Sequence, residues 1–389
     1  MARKVLPVIV ISQFFCTSLW FAGNAVMGDI AKQFHLSTTF LAYLTSAVQL
    51  GFICGTLIFA ILGISDRFSP VKVFFTCAII AACCNLGVVI DGINAQWILC
   101  FRFLTGFFLA GIYPVGMKIA ADHEQQGLGR SLGFLVGALV FGTSFPHLLK
   151  SMAAFSWPTV IYATTALAIC GGVVLLTCVP DGPHRKIGKA FSFGAFLKAF
   201  GNSKFRSAAF GYFGHQWELY AFWVFIPLTL ADFKAKNPLL HLNIPLLSFT
   251  IIGIGSLTCI ISGLISQRLG TKRVASIALA ISGGCCLLSP LVLSTQSFGL
   301  LIAFLLIWGM TVVADSPLYS TLIAQNATPE LRGTALTTVT CIGFAITILS
   351  IQLLGLVNGL MNMKYLYLLL APGPILGLIG MAREGKGKK

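Results

Sequence analysis

Long apolar runs recur through this chain, each about 20 residues and nearly free of charge, which is the length a helix needs to cross a bilayer. Twelve are read from the sequence, at about 5–28, 38–62, 72–91, 96–120, 131–150, 157–179, 206–231, 244–266, 273–294, 297–322, 334–357 and 363–382, with ends good to a few residues. Lipid offers the backbone no hydrogen-bond partners, so only helices and closed barrels span it. Barrel strands read as alternating stretches of about ten residues, and these runs are continuous. The fold class expected is therefore an all-α polytopic membrane protein. Hydrophobic residues make up 57% of the chain and charged ones 10%, and mean hydropathy is +0.90, which excludes an ordinary soluble domain. The first run begins with Arg3 and Lys4 and has no small-residue cleavage site, so it is expected to be a retained helix and not a signal peptide.

The net charge of +15 would suggest a nucleic-acid partner in a soluble protein. Its distribution argues otherwise. With the N-terminus inside, 20 of the 26 basic residues fall on the cytoplasmic side, among them Arg67, Arg130, Lys198 and Arg273. Five fall outside. This asymmetry predicts cytoplasmic termini, and the excess charge needs no nucleic acid. The twelve cysteines sit in or beside the runs without a C-x-x-C pair. They are read as small apolar residues, with no disulfide, metal site or cofactor expected.

Two loops repeat. Gly63-Ile-Ser-Asp66-Arg67 through Lys72 aligns with Gly263 through Gln267-Arg268 to Arg273, placing Asp66 on Gln267, Arg67 on Arg268 and Lys72 on Arg273. Repeats of this kind divide the chain into parallel halves, a transporter architecture. The expected organisation is a six-helix bundle over 1–179, a basic cytoplasmic linker over 180–204, and a second six-helix bundle with a cytoplasmic tail over 205–389. Phe191, Phe193, Phe196 and Phe200 in the linker suit a short interfacial helix.

With these loops, Arg102-Phe-Leu-Thr-Gly106 in the fourth run, and Pro329-Glu330-Leu-Arg332-Gly333-Thr-Ala335 after the tenth, the chain resembles the major facilitator superfamily. Asp122 to Gly133 is similar to the family's loop after its fourth span. The sequence departs from the family's loop pattern at Leu62, Ser69 and Gln267. The resemblance implies twelve helices in two pseudo-symmetric halves. It also implies a cytoplasmic gate at Asp66, Arg67, Gln267 and Arg268, and a central cavity lined by spans one, four, seven and ten. Pro146 lies where the family's antiporter motif would fall, without that motif's spacing, which disfavours an exporter. Nitrate carriers of the family place arginines in spans two and eight, and Leu41–Leu62 and Leu246–Ile265 have none.

Helical spacing agrees with a lined cavity. In the first run Gln13, Thr17, Trp20 and Asn24 share a face. In the tenth Trp308, Thr311, Asp315 and Tyr319 do so. Arg102, Thr105 and Tyr113 form a third stripe. The seventh carries His215 with Glu218, and Gln216 with Tyr220 and Trp223. A single stripe would serve as helix–helix glue, whereas four on these spans suit a substrate cavity.

Glu218 and Asp315 are the carboxylates deepest in the runs. A charge at mid-membrane costs about 2.5–3.5 kcal/mol on insertion scales, so both are expected to work, as proton carriers, with His215 modulating Glu218. Arg102 has two readings, an anion clamp or, as the resemblance implies, a conformational or proton-relay partner. Its position toward the outer end of the run also allows snorkelling. His35, His123, His147, His184 and His241 are placed in or near loops. Trp97 and Trp157 are placed at the membrane interface.

The function expected is secondary active transport by a monomer in a bacterial inner membrane. The cargo expected is a small polar or anionic organic solute, such as a carboxylated metabolite, a peptide-like compound or a siderophore. It would move with protons, and inward. A proton-driven exporter and a non-transporting membrane sensor are the alternatives. No H-E-x-x-H or G-x-S-x-G stretch supports an enzyme.

Overall fold

A computed structural model describes residues 2–36, 40–123, 128–152, 156–185, 199–328 and 332–383. The side chains of Arg3 and Lys4, residues 186–198 of the linker, Pro329 to Leu331 and the tail beyond Arg383 lie outside the described residues. So do residues 124–127 of the stretch after the fourth span.

The chain forms two compact units, Met1–Phe191 and Ser192–Lys389. Among the described residues ten helices are long and apolar enough to cross a membrane. In the first unit these are α2 (Phe40–Leu62), α3 (Pro70–Val89), α4 (Ala95–His123), α5 (Gly129–Ser151) and α6 (Trp157–Cys178). In the second they are α8 (Ile244–Leu269), α9 (Thr271–Val292), α10 (Phe298–Asn326), α11 (Arg332–Val357) and α12 (Met363–Ala382). Two more complete the set of twelve. The first, α1 (Ala2–Thr17), is a shorter apolar helix. The other, α7 (Ser203–Lys236), is 34 residues long, with its apolar sequence interrupted by His215, Gln216 and Glu218.

Each unit repeats one packing scheme. In the first, α2 lies against α4, α1 against α5 and α6, and α3 against α4 and α6. In the second, α8 lies against α10, α7 against α11 and α12, and α9 against α10 and α12. Every pair is matched six helices later. Glycine fixes the tightest crossing. A Cβ on Gly106 of α4 would run into the Val48 carbonyl of α2, and one on Gly309 of α10 into the Ile251 carbonyl of α8. Both members of the second pair stand 203 positions after those of the first. Small residues let helix backbones meet in lipid, where burying apolar area gains little.

The outward faces are aliphatic: Ile61, Leu291, Leu349 and Leu376 are all more than half exposed. Gln13, Asn85, Arg102, Glu218 and Asp315 are buried instead. This is the arrangement of a protein whose solvent is lipid.

Three spans are not the uninterrupted helices that the stripes assumed. The first ends at Thr17, and short helices resume at Ala22–Ala25 and Met27–Gln33. The fourth is split into Ala95–Leu109 and Tyr113–His123, and the tenth into Phe298–Ala314 and Ser316–Asn326. Pro114 and Pro317 explain the last two, since proline has no N–H to donate to the carbonyl four residues earlier.

Candidate functional site

The break in α1 positions the buried charge of the first unit. Beyond Thr17 the chain turns, with Leu19 N donating to the Cys16 carbonyl and Trp20 N to that of Thr17. Arg102 of α4 reaches the carbonyls this exposes. Its Nη2 donates to Leu19 O at 2.9 Å and Trp20 O at 2.6 Å, and its Nη1 to Asn85 Oδ1 at 3.1 Å. Asn85 of α3 is in turn held by α6, donating to Thr165 Oγ1 at 3.0 Å, Thr164 Oγ1 at 3.2 Å and Ile161 O at 3.3 Å. Arg102 therefore joins α1, α3 and α4, and through Asn85 α6. It is fully buried and has no carboxylate partner among the described ion pairs. Neutral dipoles carry its charge, and only Nε lacks a partner. This corrects the snorkelling expectation and leaves no fork of donors for an anion.

The second unit has the opposite character. Glu218, on α7, is buried, and its oxygens accept from Trp308 Nε1 of α10 at 2.5 Å and Ser282 Oγ of α9 at 3.0 Å. Asp315 lies at the break in α10, between the half-helices. His215 Nδ1 approaches Asp315 Oδ1 to 2.8 Å, and both side chains are 1% exposed. The contact is an ion pair when His215 is protonated, and the far ring nitrogen Nε2 and Asp315 Oδ2 have no hydrogen-bond partner. The rings of Tyr212 and Tyr319 lie 6.1 and 5.9 Å from that of His215. The expected pairing of His215 with Glu218 is thus revised: His215 faces Asp315, while Glu218 is held by Trp308 and Ser282.

The remaining expected lining residues divide. Gln13 is buried with both amide atoms unpartnered. Its amide lies against α4, where a Cβ on Gly116 would meet Gln13 Oε1. Thr17 donates to its own helix at Gln13 O, 2.8 Å away. Trp20 and Asn24 are buried but lie beyond the break, so they share no continuous helical face with Gln13. Asn24 donates to Thr45 Oγ1 of α2 at 2.7 Å. Tyr113 is buried at the start of the second half of α4. Gln216 donates to Tyr212 Oη at 2.7 Å, and Tyr220 packs on Trp223 at 5.1 Å between ring centres. Thr311 is only half-buried and spends its hydroxyl on the Ile307 carbonyl, and the Tyr319 hydroxyl meets Met381 Sδ at 3.3 Å.

At the expected gate, Asp66 forms an ion pair with Lys118 of α4. Its backbone carbonyl accepts from Arg185 Nη2 at 3.0 Å. Arg67, Gln267 and Arg268 are exposed. His147, placed near a loop from the sequence, lies inside α5 and is buried. Trp157 donates to Gln33 Oε1 at 2.8 Å. Sequence reasoning missed Asn85 and Ser282, small polar residues in largely apolar helices outside the four spans expected to line the cavity.

A profile of the Major Facilitator Superfamily matches residues 9–351. The niacin transporter NiaP of Acinetobacter baylyi is 29% identical over 160 residues, 35% of this chain and 36% of that protein. The chain thus spans little more than a third of that relative's length. Among solved structures, the proton:xylose symporter XylE superposes with a TM-score of 0.77 at 12% identity, over 98% of this chain and 95% of that one. The human organic anion transporter MFSD10 (TETRAN) gives 0.75 at 13% identity, over 98% and 99%. The nucleoside transporter NupG gives 0.72 at 14%, over 98% and 100%. At such identities the likeness is one of fold.

Proposed function

The chain belongs to the Major Facilitator Superfamily, and from that we propose a proton-coupled carrier that brings a small polar organic solute into the cell. It is a multi-pass membrane protein and a transporter rather than an enzyme. We place it as a monomer in a bacterial inner membrane, with both termini in the cytoplasm, working by alternating access. Glu218 and Asp315 carry the proton, and His215 attends Asp315. The gate role of Asp66, Arg67, Gln267 and Arg268, and the lining role of the polar stripes, belong to the same proposal.

One observation supports the coupling most. In the second unit the buried ionisable acids and bases among the described residues are Glu218, Asp315 and His215, with no buried lysine or arginine. Uncompensated carboxylates are costly in a membrane and are retained where they line an ion path. Protonation removes the charge, and opening to water restores it. The clamp on an anionic solute loses its support, because the Arg102 guanidinium is already held by three acceptors.

The test uses purified protein in liposomes with an imposed proton gradient. Internal pH is followed while pooled metabolites, niacin among them, are offered to wild type and Glu218→Gln. The expected result is a solute-dependent proton flux that the substitution abolishes. Solute uptake without any proton movement would refute the coupling.

A further inference from the structure

We infer that the site in the second unit takes an organic cation, a protonated amine or quaternary ammonium, with Asp315 as its recognition carboxylate. This rests on the transport reading above and narrows its substrate.

The inference follows from charge accounting within that unit. Among the described residues two carboxylates, Glu218 and Asp315, are buried there with a single basic group, His215. Whenever either carboxylate is ionised, a solute bearing a negative charge would add a further anion to a low-dielectric site and raise its energy. A positive solute compensates them. The two carboxylates are not equivalent. Glu218 already accepts from Trp308 Nε1 and Ser282 Oγ. Asp315, fully buried, meets His215 Nδ1 at its Oδ1, while its Oδ2 has no hydrogen-bond partner. A buried carboxylate with open lone pairs is a site for a donor the protein itself does not supply.

The surroundings suit an organic cation. The rings of Tyr212 and Tyr319 lie against that of His215. Around Trp308 lie Phe222, Tyr367 and Phe304, at 4.6, 5.0 and 5.5 Å between ring centres. Aromatic faces attract cations, more strongly where water is excluded.

Isosteric probes separate charge from shape. Benzylamine, benzyltrimethylammonium, benzyl alcohol and benzoate, together with niacin, are offered to the full chain in nanodiscs. Equilibrium binding is measured for wild type, Asp315→Asn and Asp315→Glu, each checked for a monodisperse folded peak. The expected result is that the two cations bind at least tenfold tighter than benzyl alcohol or benzoate. Asp315→Asn should lose that preference and Asp315→Glu keep most of it. A panel in which neither cation outcompetes benzoate, or cation binding unchanged in a folded Asp315→Asn, overturns the inference. The two readings fail separately. If niacin or benzoate drives proton flux that Glu218→Gln abolishes, coupled transport stands and the cation inference falls. If benzylamine is taken up with no proton movement, the cation inference stands and the coupling falls.

Discussion

The two units share a helix-packing scheme and place opposite charges in it. Gly106 and Gly309 mark the same crossing, 203 residues apart. At that separation Arg102 falls on Leu305, and Asp315 falls on Ile112 at the break of α4. The first unit thus buries a guanidinium and holds it with Leu19 O, Trp20 O and Asn85 Oδ1. The second unit buries carboxylates and leaves Asp315 with His215 at one oxygen and no partner at the other. A satisfied charge fixes a structure, because removing it orphans several polar groups at once. An unsatisfied charge is available to a proton or a ligand. The lesson is that duplicated packing preserves the breaks and crossings while the chemistry at equivalent positions diverges.

The sharpest way to break the comparison is to remove the pinned charge. Arg102→Met keeps the volume but strands two carbonyls and Asn85 Oδ1. It should cost about 2–5 kcal/mol, read as a lowered Tm in detergent. An unchanged Tm would mean that Arg102 is not structural. Next come the crossings. Gly106→Ala and Gly309→Ala each drive a methyl into a backbone carbonyl and should cost about 1–3 kcal/mol. Similar losses in the two variants sharpen the claim of equivalent packing, and a loss in only one breaks it. The smallest effect is expected from Ser282→Ala, which removes one of the donors on Glu218. About 1 kcal/mol of stability is at stake there. Trp308 and the Cys286 thiol would still hold Glu218, so proton flux should change far less than in Glu218→Gln.

Much of this was legible in the sequence. Run length and composition give the helices, because lipid leaves the backbone no alternative. The paired loops give the repeat. Glu218, His215 and Asp315 stand out because ionisable residues are rare in apolar runs. What was not legible is how they pair. Glu218 takes its donors from Ser282 on α9 and Trp308 on α10, and helix-to-helix contacts of this kind leave no trace in the spacing along one run. The stripe in the first span extrapolated a continuous helix past Thr17, where the chain breaks. No proline marks that break. It is the reach of Arg102, from another helix, that satisfies the freed carbonyls. For Arg102 an anion clamp stayed open as one of two readings because two of its three acceptors are backbone atoms, which every residue has and no sequence displays.

The most direct test of this division of labour is substrate-driven proton flux per folded molecule in liposomes, for Arg102→Met and Glu218→Gln side by side. The account predicts that the folded fraction of Arg102→Met retains coupled flux, while Glu218→Gln folds normally and loses it. Coupled flux that survives in Glu218→Gln and vanishes in folded Arg102→Met would contradict it.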